Sequence, residues 1–378
     1  MEFNDILRLM SDKKASDLFI TVGRPPCLKV DGHIKPIAKT ALSADQTREL
    51  AFGLMSPEQR EEFKHTKECN FGVSAEGIGR FRVSAFVQRD AVAMVLRRIE
   101  TSIPSFEELQ LPPIIEKLAM VKRGLIIFVG ATGTGKSTSL AAMLGYRNQH
   151  SDGHIICIED PIEFLHQHQG CIVAQREVGI DTESYEVALK NTLRQAPDVI
   201  LIGEIRTREV MEHALTFAET GHLVLSTLHA NNANNANQAL ERILHFFPEE
   251  RMTQALMALM DLSLNLKGIL AQQLIPRADG VGRRAAIEVL LNTPLASDLI
   301  LKGKVHELKE LMKRSREHGM ITFDQALYEL YLEGEITEED ALKHADSANE
   351  VRLTIKLGDN TPGTRARDLD AAMLVDDY

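Results

Sequence analysis

Gly130-Ala131-Thr132-Gly133-Thr134-Gly135-Lys136-Ser137-Thr138 decides the fold class of this 378-residue chain. The spacing is G-x-x-x-x-G-K-[ST], and each residue type has a physical task in it. The glycines allow a tight turn with no side chains in the way, so successive backbone N–H groups can point at phosphate oxygens. Lys136 can reach the β- and γ-phosphates of a nucleotide, and the Ser137 hydroxyl can ligate Mg²⁺. Just before the loop, Leu125-Ile126-Ile127-Phe128-Val129 reads as a buried parallel strand. Just after it, Ser139-Leu140-Ala141-Ala142-Met143-Leu144 reads as a helix whose positive end faces the same anion. Strand, loop and helix together separate this stretch from an ordinary Gly-rich turn.

Downstream, strands and helices alternate. Residues 154–158 read as a strand ending in Glu159-Asp160-Pro161-Ile162-Glu163, and residues 198–202 as one ending in Gly203-Glu204. Residues 223–227 form another, with His222 before it and His229 after it; helices are expected over 208–219 and 237–246. This alternation implies an α/β domain with a mostly parallel sheet. Ligands of such sheets bind at the carboxyl ends of the strands, where Glu159, Glu163 and Glu204 fall. From 249 to about 345 the pattern is more helical, with one further strand at 283–291. Residues 346–378 are polar, with Gly358, Pro362 and Gly363, and read as a mostly disordered acidic tail.

Upstream, residues 1–102 read as a separate α+β domain. A short amphipathic helix at 3–10 precedes a strand at 17–22, and Asp31-Gly32 marks a hairpin turn. Ser43 and Ser56 are N-cap candidates, and Ser56 with Gln59 fits a capping box. Strands follow at 70–73, 79–88 and 91–99, carrying Arg80, Arg82, Arg89, Arg97 and Arg98. Those arginines are either a solvated strand face or a set that reaches a nucleotide in a neighbouring subunit. Pro104, Pro112 and Pro113 mark residues 103–114 as a linker to a second domain over 115–345.

The bulk numbers exclude some functions. A net charge of −11 argues against a nucleic-acid binder held by phosphate neutralisation. No apolar stretch is long enough for a transmembrane segment and no signal-peptide pattern opens the chain, so a cytoplasmic protein is expected. Cys27, Cys69, Cys157 and Cys171 lack metal or redox spacing and read as buried thiols.

A Mg²⁺–nucleotide site needs an acid at a strand end, and Glu204 follows an apolar run and a glycine. Hydrolysis needs a group that orients or deprotonates the attacking water, for which Glu163 and Glu159 are candidates. His222 and His229 are seven residues apart, on opposite faces of a straight strand, so they are not a metal pair; one of them could sense the γ-phosphate.

From about Ala15 to Ala341 the sequence resembles the secretion-type hexameric ATPases, and within them the twitching-motility, pilus-retraction ATPases of the PilT and PilU type. Four motifs carry the resemblance: Gly130–Thr138 (Walker A), Ile158-Glu159-Asp160-Pro161-Ile162-Glu163-Phe164 (Asp box), Ile200-Leu201-Ile202-Gly203-Glu204 (Walker B), and Gly221-His222-Leu223 through Leu228-His229-Ala230 (His box). The resemblance implies a RecA-like P-loop NTPase core with an N-terminal PAS-like domain, assembled as a homo-hexamer. It implies ATP and Mg²⁺ as cofactors, with Lys136 and Ser137 on phosphate and metal, Glu204 holding the metal through water, and Glu163 as catalytic base. His222 falls at the His-box position, and Arg82 and Arg97 fall where the family's arginines reach the next subunit's nucleotide. The ring would drive type IV pilus retraction, peripheral at the inner face of the inner membrane, with a pilus-base membrane protein and a paralogous motor as partners. The zinc-binding tetracysteine insert of the assembly ATPases is absent. The Ala-Ile-Arg-Asn-Leu-Ile-Arg-like helix of the retraction motors is here Leu295-Ala296-Ser297-Asp298-Leu299-Ile300-Leu301, without its arginines. The first departure points to the retraction branch, and the second to its accessory, PilU-type motor. The alternative is a structural or recruiting ring subunit with weak turnover; a nucleic-acid translocase is disfavoured by the charge.

Overall fold

Two compact units emerge from the computed structural model, which describes residues 3–30, 32–229, 235–247 and 252–357. The first comprises Met1–Ser102 with Ile162–Leu165 and Glu177–Glu183; the second comprises Ile103–Pro161, His166–Arg176 and Ser184–Tyr378.

In the first unit, strands β1 (Asp17–Ile20), β2 (Cys27–Val30), β3 (His33–Pro36), β4 (Glu68–Ala75), β5 (Gly79–Gln88) and β6 (Ala91–Arg98) form one sheet in the order β3-β2-β1-β6-β5-β4. Alternation sets its faces. Phe81, Val83 and Ala85 point to a core that also holds Leu7, Met10 and Phe63, from helices α1 (Phe3–Asp12) and α3 (Pro57–Thr66). Ser43 and Ser56 both form capping boxes, with Gln46 and Gln59, and so start α2 (Ala44–Leu54) and α3. Arg82 lies directly across from Arg97, which puts the two on one face of the sheet, whereas Arg98 lies across from core-facing Phe81.

In the second unit, β7 (Gly124–Gly130), β8 (Gly153–Glu159), β9 (Cys171–Glu177), β10 (Val199–Ile205), β11 (Leu223–His229), β12 (Leu266–Pro276) and β13 (Arg283–Leu291) build a sheet in the order β13-β12-β7-β11-β10-β8-β9. The four strands β7, β8, β10 and β11 pair in parallel; β12 is parallel to β7 and antiparallel to β13. All seven residues of β7 are buried, as a strand covered on both faces requires.

Three expectations are corrected here. Residues 103–114 are not a free linker. Helix α4 (Phe106–Leu109) buries Phe106 with its ring 5.0 Å from Tyr146, and Leu111 and, on α5 (Ile114–Ala119), Ile115 enter the same core. The prolines bend this segment, while the apolar residues between them dock it. The region after 249 contains β12, an 11-residue strand missed because Gly268, Gln272 and Gln273 interrupt its apolar pattern. β9 was also missed. Finally, the stretch read as a tail contains α15 (Ala348–Leu357), introduced by backbone N–H groups of Asp346 and Ser347 bonded to the buried Asp324 carboxylate. Ser347-Ala348-Asn349-Glu350 has the spacing of a capping box, and the Glu350 N–H donates to Ser347 Oγ at 3.4 Å. The rest of the tail, 358–378, lies outside the described residues.

Helices α6 (Lys136–His150), α7 (Tyr185–Thr192), α8 (Arg208–Glu219), α9 (Ala236–Leu244), α10 (Met252–Asn265), α11 (Pro294–Leu301), α12 (Leu308–Arg314), α13 (Phe323–Leu332) and α14 (Glu338–His344) complete the second unit. The departing 295–301 stretch is α11. All four cysteines are free and buried. Among the described residues no helix is long and apolar enough to cross a membrane.

Candidate active site

The phosphate loop lies between β7 and α6, as the motif requires. Gly130, Gly133 and Gly135 hold φ of +148°, +80° and +85°, which residues with a Cβ rarely adopt. At Gly130 a Cβ would stand 2.5 Å from the Gln272 carbonyl oxygen, so the loop closes only around glycine. Lys136 Nζ donates to the Gly130 and Ala131 carbonyls at 2.7 and 2.8 Å, folding the ammonium over the loop. Burial pushes its pKa down, and the Glu204 carboxylate partly offsets this. The ammonium and the N-terminus of α6, a 15-residue helix, put positive charge at the loop. These features fit a nucleotide phosphate.

A residue that sequence reading passed over holds this loop. Gln272 on β12 is 2% exposed, and its Nε2 donates to the Thr134 carbonyl at 2.9 Å. Its Oε1 is buried with no hydrogen-bond partner among the described residues.

Glu204 sits on β10, where the register with β11 slips between Ile202 and Ile205. This bulge re-aims the side chain. Ser226 Oγ donates to the Ile202 carbonyl and Thr227 Oγ1 to the Gly203 carbonyl, both at 2.7 Å, so β11 fixes the bulge. Gly203 is closely packed: a Cβ would lie 3.1 Å from both Glu159 Cα and the Tyr185 hydroxyl, so either neighbour would have to give way by a few tenths of an ångström. Burial raises the Tyr185 pKa, with the charge of Asp160 adding to it, so the phenol stays protonated. Glu159, on the adjacent strand end, accepts from Gln175 Nε2 at 3.0 Å. Arg206 binds Glu204 through Nε at 2.7 Å and Asp160 through Nη1 at 3.3 Å. Among the described residues no three His, Cys, Asp or Glu side chains cluster to hold a metal ion. A Mg²⁺ at Ser137 and Glu204 would therefore take its remaining oxygens from nucleotide and water, as this ion commonly does.

The remaining expected residues are distributed differently. Glu163 is exposed and belongs to the first unit through segment 162–165. In that unit Arg97 Nε donates to Asp17 at 3.0 Å, and Arg82 faces the buried Glu177 carboxylate at 3.9 Å. His222 does not reach the phosphate loop of its own chain. It precedes β11, its carbonyl accepts from Gly124, and its ring bonds Thr220 and the Phe217 carbonyl. The parallel register sets Leu223 beside Gly124 and His229 beside Gly130. At about 3.3 Å per residue, His222 is thus some 20 Å from the loop, at the amino end of the sheet.

Residues 3–342 match the profile of the Type II/IV secretion system protein family. The chain belongs to that family. Among its members, this chain is 70% identical to the type IV pilus ATPase PilU of Pseudomonas aeruginosa, over 95% of this chain and 92% of the relative. It is 39% identical to the type IV pilus retraction ATPase PilT of the same organism, over 91% and 98% of the two chains. A crystal structure of the pilus retraction motor PilT with bound ADP superposes with a TM-score of 0.85, covering 93% of this chain and 99% of that one at 39% identity. The Legionella pneumophila ATPase DotB gives 0.76 at 25% identity, covering 94% and 95%.

Proposed function

We propose that this protein is an ATP-hydrolysing motor of type IV pilus retraction, of the PilU type. The observation that carries the reading is the intact phosphate loop, with Lys136 folded over its carbonyls, opposite a bulge-mounted Glu204, in a chain 70% identical to a type IV pilus ATPase. ATP would lay its phosphates across the Gly130–Thr138 N–H groups, and Lys136 would exchange its two loop carbonyls for phosphate oxygens. Mg²⁺ would supply charge neutralisation at the β- and γ-phosphates, held by Ser137 and, through water, by Glu204. Glu163 would orient and deprotonate the attacking water. The working form would be a homo-hexamer at the cytoplasmic face of the inner membrane, meeting a pilus-base protein and a paralogous motor.

In that ring Arg82 and Arg97 would act on a neighbour's nucleotide, leaving Glu177 and Asp17 to do so. Arginine suits the role because its planar fork stays charged and grips phosphate oxygens. His222 lies at the wrong end of its own sheet for direct action on the nucleotide of its own chain.

The test is ATP turnover by purified Lys136→Ala, Arg97→Ala and their mixture. Each variant alone should lose activity by orders of magnitude. Mixed rings should recover part of it, because some interfaces then join an intact loop to an intact arginine. Normal turnover by Lys136→Ala would refute the site. No recovery in mixed hexamers seen by native mass spectrometry would refute the trans role of Arg97.

A further inference from the structure

Arg206 directly follows the last residue of β10, two residues after Glu204. The two side chains meet directly despite the bulge between Ile202 and Ile205. Its guanidinium reaches Glu204 Oε2 at 2.7 Å and Asp160 Oδ2 at 3.3 Å. Those acids stand at the carboxyl ends of two adjacent parallel strands, β10 and β8. An arginine that is 55% exposed and paired to one surface acid would carry little meaning. This one differs in two respects. Its fork spans two acids on separate strands, and one of them is only 20% exposed and placed by a bulge whose carbonyls β11 fixes.

We propose that Arg206 is a charge clamp on the metal acid: it holds Glu204 in one orientation against Asp160, and its positive charge opposes the divalent cation that Glu204 is there to receive. The proposal rests on the nucleotide-site reading above and adds a regulator of metal affinity to it. Two consequences separate charge from shape. The charge lowers the affinity of the site for Mg²⁺, since like charges a few ångströms apart repel even near the surface. The fork aims the carboxylate, which a point charge cannot do, because only guanidinium offers donors at two fixed angles.

The experiment measures Mn²⁺ binding by electron paramagnetic resonance to the full-length protein saturated with ADP, alongside ATP turnover. Arg206→Gln should bind Mn²⁺ about three- to tenfold more tightly than the wild type, while kcat falls tenfold or more. Arg206→Lys keeps the charge, so its Mn²⁺ affinity should stay within about twofold of the wild type while kcat falls nearly as far. A merely structural arginine would shift the thermal midpoint and kcat without tightening metal binding. Unchanged or weaker Mn²⁺ binding by folded Arg206→Gln overturns the clamp. If Arg206→Gln does not fold, the lysine variant decides: altered Mn²⁺ affinity or undiminished kcat in it overturns the proposal. Failure of the wild type to bind Mn²⁺ with ADP would instead overturn the nucleotide-site reading.

Discussion

Gln272→Met separates the anchoring of the phosphate loop from the stability of the core. The side chain is 2% exposed, so methionine of similar volume replaces it with a packing penalty of under about 1.5 kcal/mol. The change removes the 2.9 Å bond to the Thr134 carbonyl, worth about 1 kcal/mol net. It also removes the buried, unpartnered Oε1, whose desolvation costs about 1–3 kcal/mol. These contributions largely cancel, leaving stability within about 1.5 kcal/mol of the wild type, or a few degrees in thermal midpoint for a domain of this size. Nucleotide affinity has no such compensation. Thr134 lies at the centre of the loop, and ordering it on binding should now cost about 1 kcal/mol, a roughly fivefold loss. Fluorescence titration with a methylanthraniloyl-ADP probe and chemical denaturation measure the two quantities on the same sample. Unchanged affinity would show that Gln272 does not anchor the loop. A stability loss of about 2.5 kcal/mol, the lost bond and the packing penalty with no relief, would show that the unpartnered oxygen carries no penalty.

Two further expectations follow from single residues. Gly130→Ala puts a Cβ 2.5 Å from a backbone carbonyl at φ +148°; the strain of about 2–5 kcal/mol should abolish nucleotide binding and lower the thermal midpoint, and a variant that binds ADP normally would contradict the loop geometry. Glu288 is fully buried between the N-termini of α9 and α13, accepting from Ala236 and Phe323, and burial pushes its pKa up to about 7. The folded state therefore takes up this proton before the unfolded chain does. Its stabilising contribution, about 3 kcal/mol, is full below the ordinary carboxylate pKa and is lost as pH rises through 7. Glu288→Gln should flatten that part of the stability–pH curve between pH 4.5 and 7; an unchanged slope would assign it to other groups.

The residues of the phosphate loop announce themselves because their constraint is local. The glycines, the lysine and the flanking strand and helix are contiguous, so spacing alone carries the chemistry. The same holds for the apolar run before Glu204 and for the serine caps at 43 and 56. The site's supports are different in kind. Gln272 meets Thr134 across 138 residues of chain, because β12 pairs with β7. Arg206 meets Asp160 only because β10 lies beside β8.

Strand order likewise decides the two histidines. Their spacing of seven was legible, but only the parallel register of β11 with β7 puts His229 level with Gly130 and His222 at the far end. Burial decides the segment at 103–114, whose prolines read as a linker while Phe106 and Leu111 dock into the core. By itself, then, the sequence determined the phosphate-loop motif, the acid at the end of β10 and the alternating α/β pattern, which depend on neighbouring residues. The tertiary structure alone decided which distant side chains hold that loop and that acid, because such contacts are set by the order and register of strands, and neither is written in any local stretch.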